Sequence, residues 1–224
     1  MRLDELGRRL GHPFERAELL RAALVHRSYA AENPGESDNE RLEFLGDAVL
    51  QLVVTELLYS AYPDLTEGEM AKVRAASVNR SELARVARTL GLGDHLLVGA
   101  GEEATGGRDK DSILADTMEA VIAAIYLDGG ISAARRFIVE HWEPIVAEKA
   151  EAPGARDYKT RYQEYLAARG KKPTYRVVGE GPDHAKRFTA TVSVDGVVTG
   201  TGEGRSKKEA EQEAARKALG GEVR

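Results

Sequence analysis

Five carboxylates stand where helices could gather them. In the stretch NERLEFLGDAVL, residues 39–50, Glu40, Glu43 and Asp47 recur at three- and four-residue spacing. At about 100° per residue they share one arc of roughly 60° on a helical wheel. Leu42, Leu45, Val49, Leu52 and Val53 fall on the opposite side, which is therefore expected to face the core. A second stretch, LADTMEAVIAAIYLDGG, sets Asp116 and Glu119 three apart in an otherwise apolar helix. If the two helices are neighbours, four or five carboxylates converge. Two unit charges about 5 Å apart repel by roughly 3 kcal/mol at an effective dielectric of about 20. Such a cluster shifts its protonation or recruits a cation. An all-oxygen ligand set suits Mg²⁺ or Mn²⁺ better than zinc. The other reading is a solvated acidic face, which would carry lysines or arginines one turn from the acids. Within the arc there are none. Spacing alone leaves both readings open.

A cluster of this kind needs long helices to hold it, and the first two thirds of the chain are patterned as helices. Apolar residues recur at three- and four-residue spacing over 3–10, 16–30, 39–60, 66–76, 81–90, 111–127 and 131–149. Ser81 and Asp111 are placed as helix N-caps. The glycine-rich stretch 99–107 reads as a flexible loop and lacks the strand and the lysine-serine ending of a phosphate loop. The segment 149–156 is small, charged and broken by Pro153 and Gly154, and is expected to link two domains, 1–148 and 157–222. Beyond it the pattern changes. A helix over 157–169 precedes alternating strands at 174–179, 187–194 and 197–203, with Asp195-Gly196 as a two-residue hairpin turn. Ser206 then caps a last helix that runs through Leu219. The expected architecture is an all-α domain followed by a small α+β domain of order α-β-β-β-α.

The 224 residues, 42% of them hydrophobic, suffice for two cores. No run nears the roughly 18 consecutive apolar residues of a membrane span, and the start, MRLDELGRRLGH, lacks the apolar stretch of a secretory signal. The absence of cysteine excludes disulfide scaffolds, thiolate zinc sites and thiol catalysis. A cytoplasmic protein with no membrane partner is expected. Net charge is −9 over residues 1–150 and +4 over 151–224, so the smaller domain is the better candidate for binding a polyanion. Phe44 lies beside the acids and away from the apolar arc of its helix. A large aromatic there needs cover, either from another helix or from a second copy of the chain. Trp142 and Tyr126 fit core positions, His26 a hydrogen-bonded site near a helix end, and Lys110 a surface cation offsetting nearby acids.

On these residues the chain resembles bacterial ribonuclease III. NERLEFLGDAVL is similar to that family's signature helix, and KDSILADTMEAVIAAIYLDGG to its second acidic helix, with further likeness in HRSY at 26–29 and EGEMAKVRAASVNRSELA at 67–84. The resemblance implies that Glu43, Asp47, Asp116 and Glu119 hold divalent metal, with Asp47 and Glu119 the most essential for cleavage. It implies supporting roles for Glu40 and Glu67, and insertion of Phe44 into a homodimer partner. The implied activity is hydrolysis of double-stranded RNA with Mg²⁺, Mn²⁺ being a substitute. It leaves 5′-phosphate and 3′-hydroxyl ends with short 3′ overhangs, on structured RNA such as ribosomal precursors and messenger duplexes. The second domain resembles a double-stranded RNA-binding domain. That likeness puts Thr160, Gln163 and Glu164 at a minor groove, Pro182 and His184 on a loop at the next one, and Lys207 and Lys208 on phosphate. Glu209 and Glu211 depart from the more basic last helix usual in such domains. Two other readings are a scaffold that holds structured RNA without cutting it and a hydrolase of small phosphate esters. The second leaves the RNA-binding tail unexplained.

Overall fold

The computed structural model describes residues 3–151, 153, 158–180 and 186–222. The chain forms two compact units, dividing between Pro153 and Gly154.

The first unit is helical: α1 Leu3–Arg9, α2 Ala17–Ala23, α3 Arg27–Glu32, α4 Glu40–Ala61, α5 Glu67–Ser77, α6 Arg80–Thr89, α7 Ala100–Ala104 and α8 Asp111–Ala150. Its core is built around α8, whose Leu114, Met118, Val121, Ile122, Ile125, Ile138 and Trp142 are all buried. Trp142 is fully enclosed and donates its indole N–H to the carbonyl of Ser77 at 3.1 Å. Helices α4 and α8 are long and apolar enough by composition to cross a bilayer. The apolar residues of α8 form the centre of this unit's core.

Several expectations change here. The single helix expected over 16–30 is two. Val25 pairs in parallel with Leu97, its neighbours exchange backbone hydrogen bonds with that residue, and His26 then caps α3. The glycine-rich stretch 99–107 is not a loop throughout. It holds α7, whose first N–H is bonded to the Glu32 carboxylate at 2.9 Å. The caps move as well. Asn79, not Ser81, accepts from the Glu82 N–H and starts α6, while Lys110 precedes α8 and Asp111 is its first residue. The helices expected over 111–127 and 131–149 are both present and meet without a loop at Gly130, whose φ of 71° and ψ of −177° interrupt the helix; α8 names the pair. That element runs to Ala150, so the first two residues of the expected linker are helical.

Helix α4 also turns differently from the wheel. Gly46, Val49, Leu50, Val53, Val54 and Leu58 are buried, while Leu52, expected in the core, is half exposed. The buried stripe is rotated toward the acids because α8 crosses at Gly46. A Cβ there would lie 1.7 Å from the carbonyl oxygen of Glu119. Only a glycine allows the backbones so close, and this contact sets the two acidic segments side by side.

The second unit has the expected order: α9 Tyr158–Ala167, β1 Pro173–Glu180, β2 Arg187–Val194, β3 Val197–Gly204 and α10 Lys207–Glu222. The strands form an antiparallel sheet in the order β1-β2-β3. Asp195 and Gly196, with φ of 52° and 82°, make the tight hairpin turn between β2 and β3. Ala190, Val192 and Val194 point from β2 into a core with Tyr162, Leu166, Ala210, Ala214, Ala215 and Ala218. Alanines on α10 and glycines on β3 let helix and strand approach closely. A Cβ at Gly202 would lie 2.2 Å from the Ala214 nitrogen.

Candidate active site

The two acidic segments meet. One carboxylate oxygen each from Glu43 on α4 and from Asp116 and Glu119 on α8 lie within 4.8 Å of one another, all three residues partly buried. These two helix turns sit at the edge of the core. Thr117, Met118, Ala120 and Val121 are enclosed around the α8 acids, which therefore point to the one open side. Burial pushes the Glu119 carboxyl up to about 8, reinforced by the charges of Asp47, Glu43 and Asp116 and opposed by Arg80. Burial also raises Glu43, with Asp116 and Glu40 adding to it and Arg27 opposing. Asp116 is raised by burial and partly relieved by Arg80, His26 and Arg27. Asp47 is exposed, accepts from the Gln51 side-chain amide at 3.3 Å, and is the leading charge acting on Glu119.

An open cleft of about 530 Å³ adjoins the cluster, lined among others by His26, Arg27, Glu40, Arg80, Glu102 and Lys110. Glu40 is exposed on its wall and pairs with Arg27 at 3.7 Å. Lys110 pairs with Glu102 at 2.5 Å, the acid-offsetting role expected of it. His26 caps α3 by accepting from the Ser28 N–H, lies 2.8 Å from the Ser28 hydroxyl, and is held below its ordinary range by burial. Glu67 is not brought to this place. It is exposed at the start of α5 and is absent from the cluster and from the cleft walls among the described residues. Arg27 and Arg80 fall inside the stretches HRSY and EGEMAKVRAASVNRSELA but are given no role there, and Glu102 carries no signal. They come from α3, α6 and α7, and no local spacing joins them to the acids. Phe44 is 83% exposed, with Leu52 and Tyr59 also exposed on α4, so no described residue supplies the cover it needs.

In the second unit, Gln163 and Glu164 are exposed on α9 and Thr160 is partly buried on the same helix. Lys207 and Lys208 are exposed on the first turn of α10, where Ser206 Oγ accepts from the Glu209 N–H at 3.1 Å. Glu211 is taken up by Lys159 at 2.7 Å, and Glu209 accepts from the Arg205 N–H, so both departures from the basic pattern have local partners. Pro182 and His184 lie outside the described residues.

Residues 16–144 match the Ribonuclease-III-like family, and residues 158–220 match the double-stranded RNA binding motif. The chain belongs to the ribonuclease III family. Among its relatives, Ribonuclease 3 of Streptomyces coelicolor is 56% identical over 211 residues, covering 94% of this chain and 76% of that one. Ribonuclease 3 of Symbiobacterium thermophilum is 51% identical over 212 residues, covering 94% and 90%. The nuclease domain of ribonuclease III from Campylobacter jejuni, a solved structure, superposes with a TM-score of 0.58 at 41% identity, over 63% of this chain and 99% of that one. As a ribonuclease III the chain is an endoribonuclease, with its nuclease in the helical unit and a double-stranded RNA-binding domain behind it. Ribonuclease III enzymes depend on a metal, and the Glu43, Asp116 and Glu119 oxygens are a donor set fit to hold one.

Proposed function

We propose that the chain acts as a homodimer that hydrolyses phosphodiester bonds in both strands of double-stranded RNA with a divalent ion. Mg²⁺ is the proposed ion and Mn²⁺ its substitute. The observation that carries this reading is the convergence of Glu43, Asp116 and Glu119 within 4.8 Å, beside Asp47. Three like-charged groups at that spacing, one held protonated up to about 8, form a site that gains most from a hard cation. Glu43, Asp47, Asp116 and Glu119 would hold it, with Asp47 and Glu119 the decisive pair. The ion would supply charge neutralisation at the phosphate and an acidified water.

The chain's own residues supply position. The backbone that carries the α8 acids is fixed by the core around it, so phosphate and water would be presented to carboxylates rooted at set positions. Attack of water at phosphorus with departure of the 3′ oxygen leaves a 5′-phosphate and a 3′-hydroxyl. Glu40 on the cleft wall would orient the approaching strand, and Glu67, which is in neither the cluster nor the cleft wall of one protomer, would act through the dimer.

The exposed face of Phe44, Leu52 and Tyr59 supports the dimer, since large apolar side chains gathered on one helix mark an interface. A two-fold axis through it would set two clusters to face the two strands of one duplex, offset to give short 3′ overhangs. The structure from Campylobacter jejuni is itself described as having a region involved in dimer formation. In the second unit, Thr160, Gln163 and Glu164 would meet a minor groove, Pro182 and His184 the next, and Lys207 and Lys208 a phosphate at the N-terminus of α10. The substrates would be structured transcripts such as ribosomal precursors and messenger duplexes, and the enzyme would act in the cytoplasm.

The test is long end-labelled duplex RNA incubated with Mg²⁺, with Ca²⁺ and with EDTA, beside a single-stranded control. Short duplexes in Mg²⁺, an intact shifted band in Ca²⁺ and an untouched single strand are expected. A shifted but uncut band under every condition would replace the nuclease by a binding protein.

A further inference from the structure

Three cations border the cleft, and they differ in what they touch. Lys110 is held by Glu102 at 2.5 Å and by the Thr105 hydroxyl at 2.8 Å. Arg27 faces Glu40 at 3.7 Å. Arg80 makes no hydrogen bond or ion pair among the described residues, although it lines the cleft and its charge is felt by both Asp116 and Glu119. Its backbone is fixed. Asn79 accepts from the Glu82 N–H at 3.1 Å and donates to the Ala76 carbonyl at 2.7 Å, so Arg80 is held as the first residue of α6. The side chain is exposed.

A guanidinium serving only to neutralise the acids would close onto one of them, as the other two cations close onto theirs. Arg80 instead keeps all its donors open at the rim, on a helix N-terminus that itself favours anions. A polyanion entering an acidic cleft needs a cation beside the reacting position, and a planar guanidinium suits two oxygens of one phosphate.

We propose that Arg80 is a substrate-binding residue of the cleavage site, taking a phosphate of the RNA strand that lies across the carboxylate cluster. The inference rests on the reading that duplex RNA is cut at that cluster. It adds a contact within the nuclease unit to those of the RNA-binding domain.

The experiment uses the full chain with Arg80→Ala and Arg80→Lys, duplex RNA as substrate, and KCl varied at fixed Mg²⁺. Loss of one charge-assisted phosphate contact predicts a fall in kcat/KM of about 10- to 100-fold for Arg80→Ala at moderate salt. The slope of log affinity against log salt, read by gel shift in Ca²⁺, becomes shallower by about 0.7–0.9. Arg80→Lys keeps most of that slope. All three proteins melt together, since the side chain is exposed and unbonded. Removing a cation does not weaken divalent-ion binding by electrostatics, so the Mg²⁺ concentration for half-maximal activity stays level or falls. Unchanged slope and rate in Arg80→Ala, beside a wild type that cuts, overturn the inference alone. Recovery of Arg80→Ala by excess Mg²⁺ also overturns it, because Arg80 would then act through the acids. A wild type that leaves duplex RNA whole overturns the underlying reading and this inference with it.

Discussion

Replacing Glu119 with Gln should stabilise the metal-free protein at alkaline pH while removing its activity. In the folded chain Glu119 keeps its proton up to about 8, against an ordinary value of 4.5. The folded state therefore binds this proton more tightly than the unfolded state. Stability falls as pH rises from 4.5 through 8, and the full penalty is present above that window. The window is 8 minus 4.5, or 3.5 pH units, which at about 1.4 kcal/mol per unit sets an upper bound near 5 kcal/mol. The cleft is open to water, which screens the charge, so about 2 kcal/mol is the expected gain at pH 8. For a unit of this size that is a rise in melting temperature of about 4–8 °C. The assay is calorimetry in EDTA at pH 5.5 and pH 8, following the transition of the nuclease unit. At pH 5.5, one unit into that window, only about a third of the gap has opened, so the two proteins should melt within about 1–3 °C of each other. At pH 8 the variant should melt higher, and Mg²⁺ should raise the wild type while leaving the variant almost unmoved. A gap of equal size at both pH values, or a variant that melts lower at pH 8, would refute the reasoning.

Asp47→Asn should abolish cleavage of duplex RNA with binding intact, read by gel shift and product gel on one preparation; loss of both together would contradict its role as a ligand. Phe44→Ala should weaken the dimer about 10²- to 10⁴-fold, since a two-fold axis counts a side chain worth about 1.5–3 kcal/mol twice. Sedimentation at micromolar protein checks this, and an unaltered dimer would remove Phe44 from the interface. The double substitution Lys207→Ala/Lys208→Ala should weaken RNA binding and make its salt slope shallower by up to about two; equal affinity at every salt concentration would deny the phosphate contacts. Gly46→Ala forces a methyl into the Glu119 backbone at 1.7 Å, so the nuclease unit should lose about 3 kcal/mol or more, seen as a drop in its melting temperature. A variant melting with the wild type would show that the helices do not cross so closely.

How much of this was legible in the sequence depends on how local the signal is. Asp195-Gly196 and Ser206 act within a few residues of themselves, and the hairpin and the last helix form where those residues put them. The acidic spacing is equally local, and Glu43, Asp116 and Glu119 do meet. The orientation of α4 was not legible. Its apolar residues serve both a core and an exposed face, so Leu52 carries the same hydrophobic signal as Val53 while only Val53 is buried. Gly46, which decides where α8 crosses, has no side chain to contribute to a pattern. Glu67 and Arg80 show the same limit in opposite directions. One is drawn to the site by resemblance and does not line the cleft, while the other, in the same stretch 67–84, is given no role by the resemblance and does line it.

What makes the cluster a site, rather than an acidic surface, is that its members cannot relax. Exposed carboxylates relieve repulsion by rotating into water, and their spacing then says little about function. Asp116 and Glu119 lack that freedom because Ala115, Thr117, Met118, Ala120 and Val121 around them are buried, and because the Glu119 carbonyl lies against Gly46. Moving either acid by a turn would pull a core helix out of register. Beyond the partial relief from Arg80, His26 and Arg27, the repulsion has two outlets, a proton or a bound metal cation. The proton is the outlet recorded by Glu119, neutral up to about 8. A cation that displaces it finds its ligands already in place and relieves a strain that the fold maintains. Core packing at Gly46 and the metal chemistry proposed at Glu119 are for that reason coupled, and a substitution that eases the first should loosen the second.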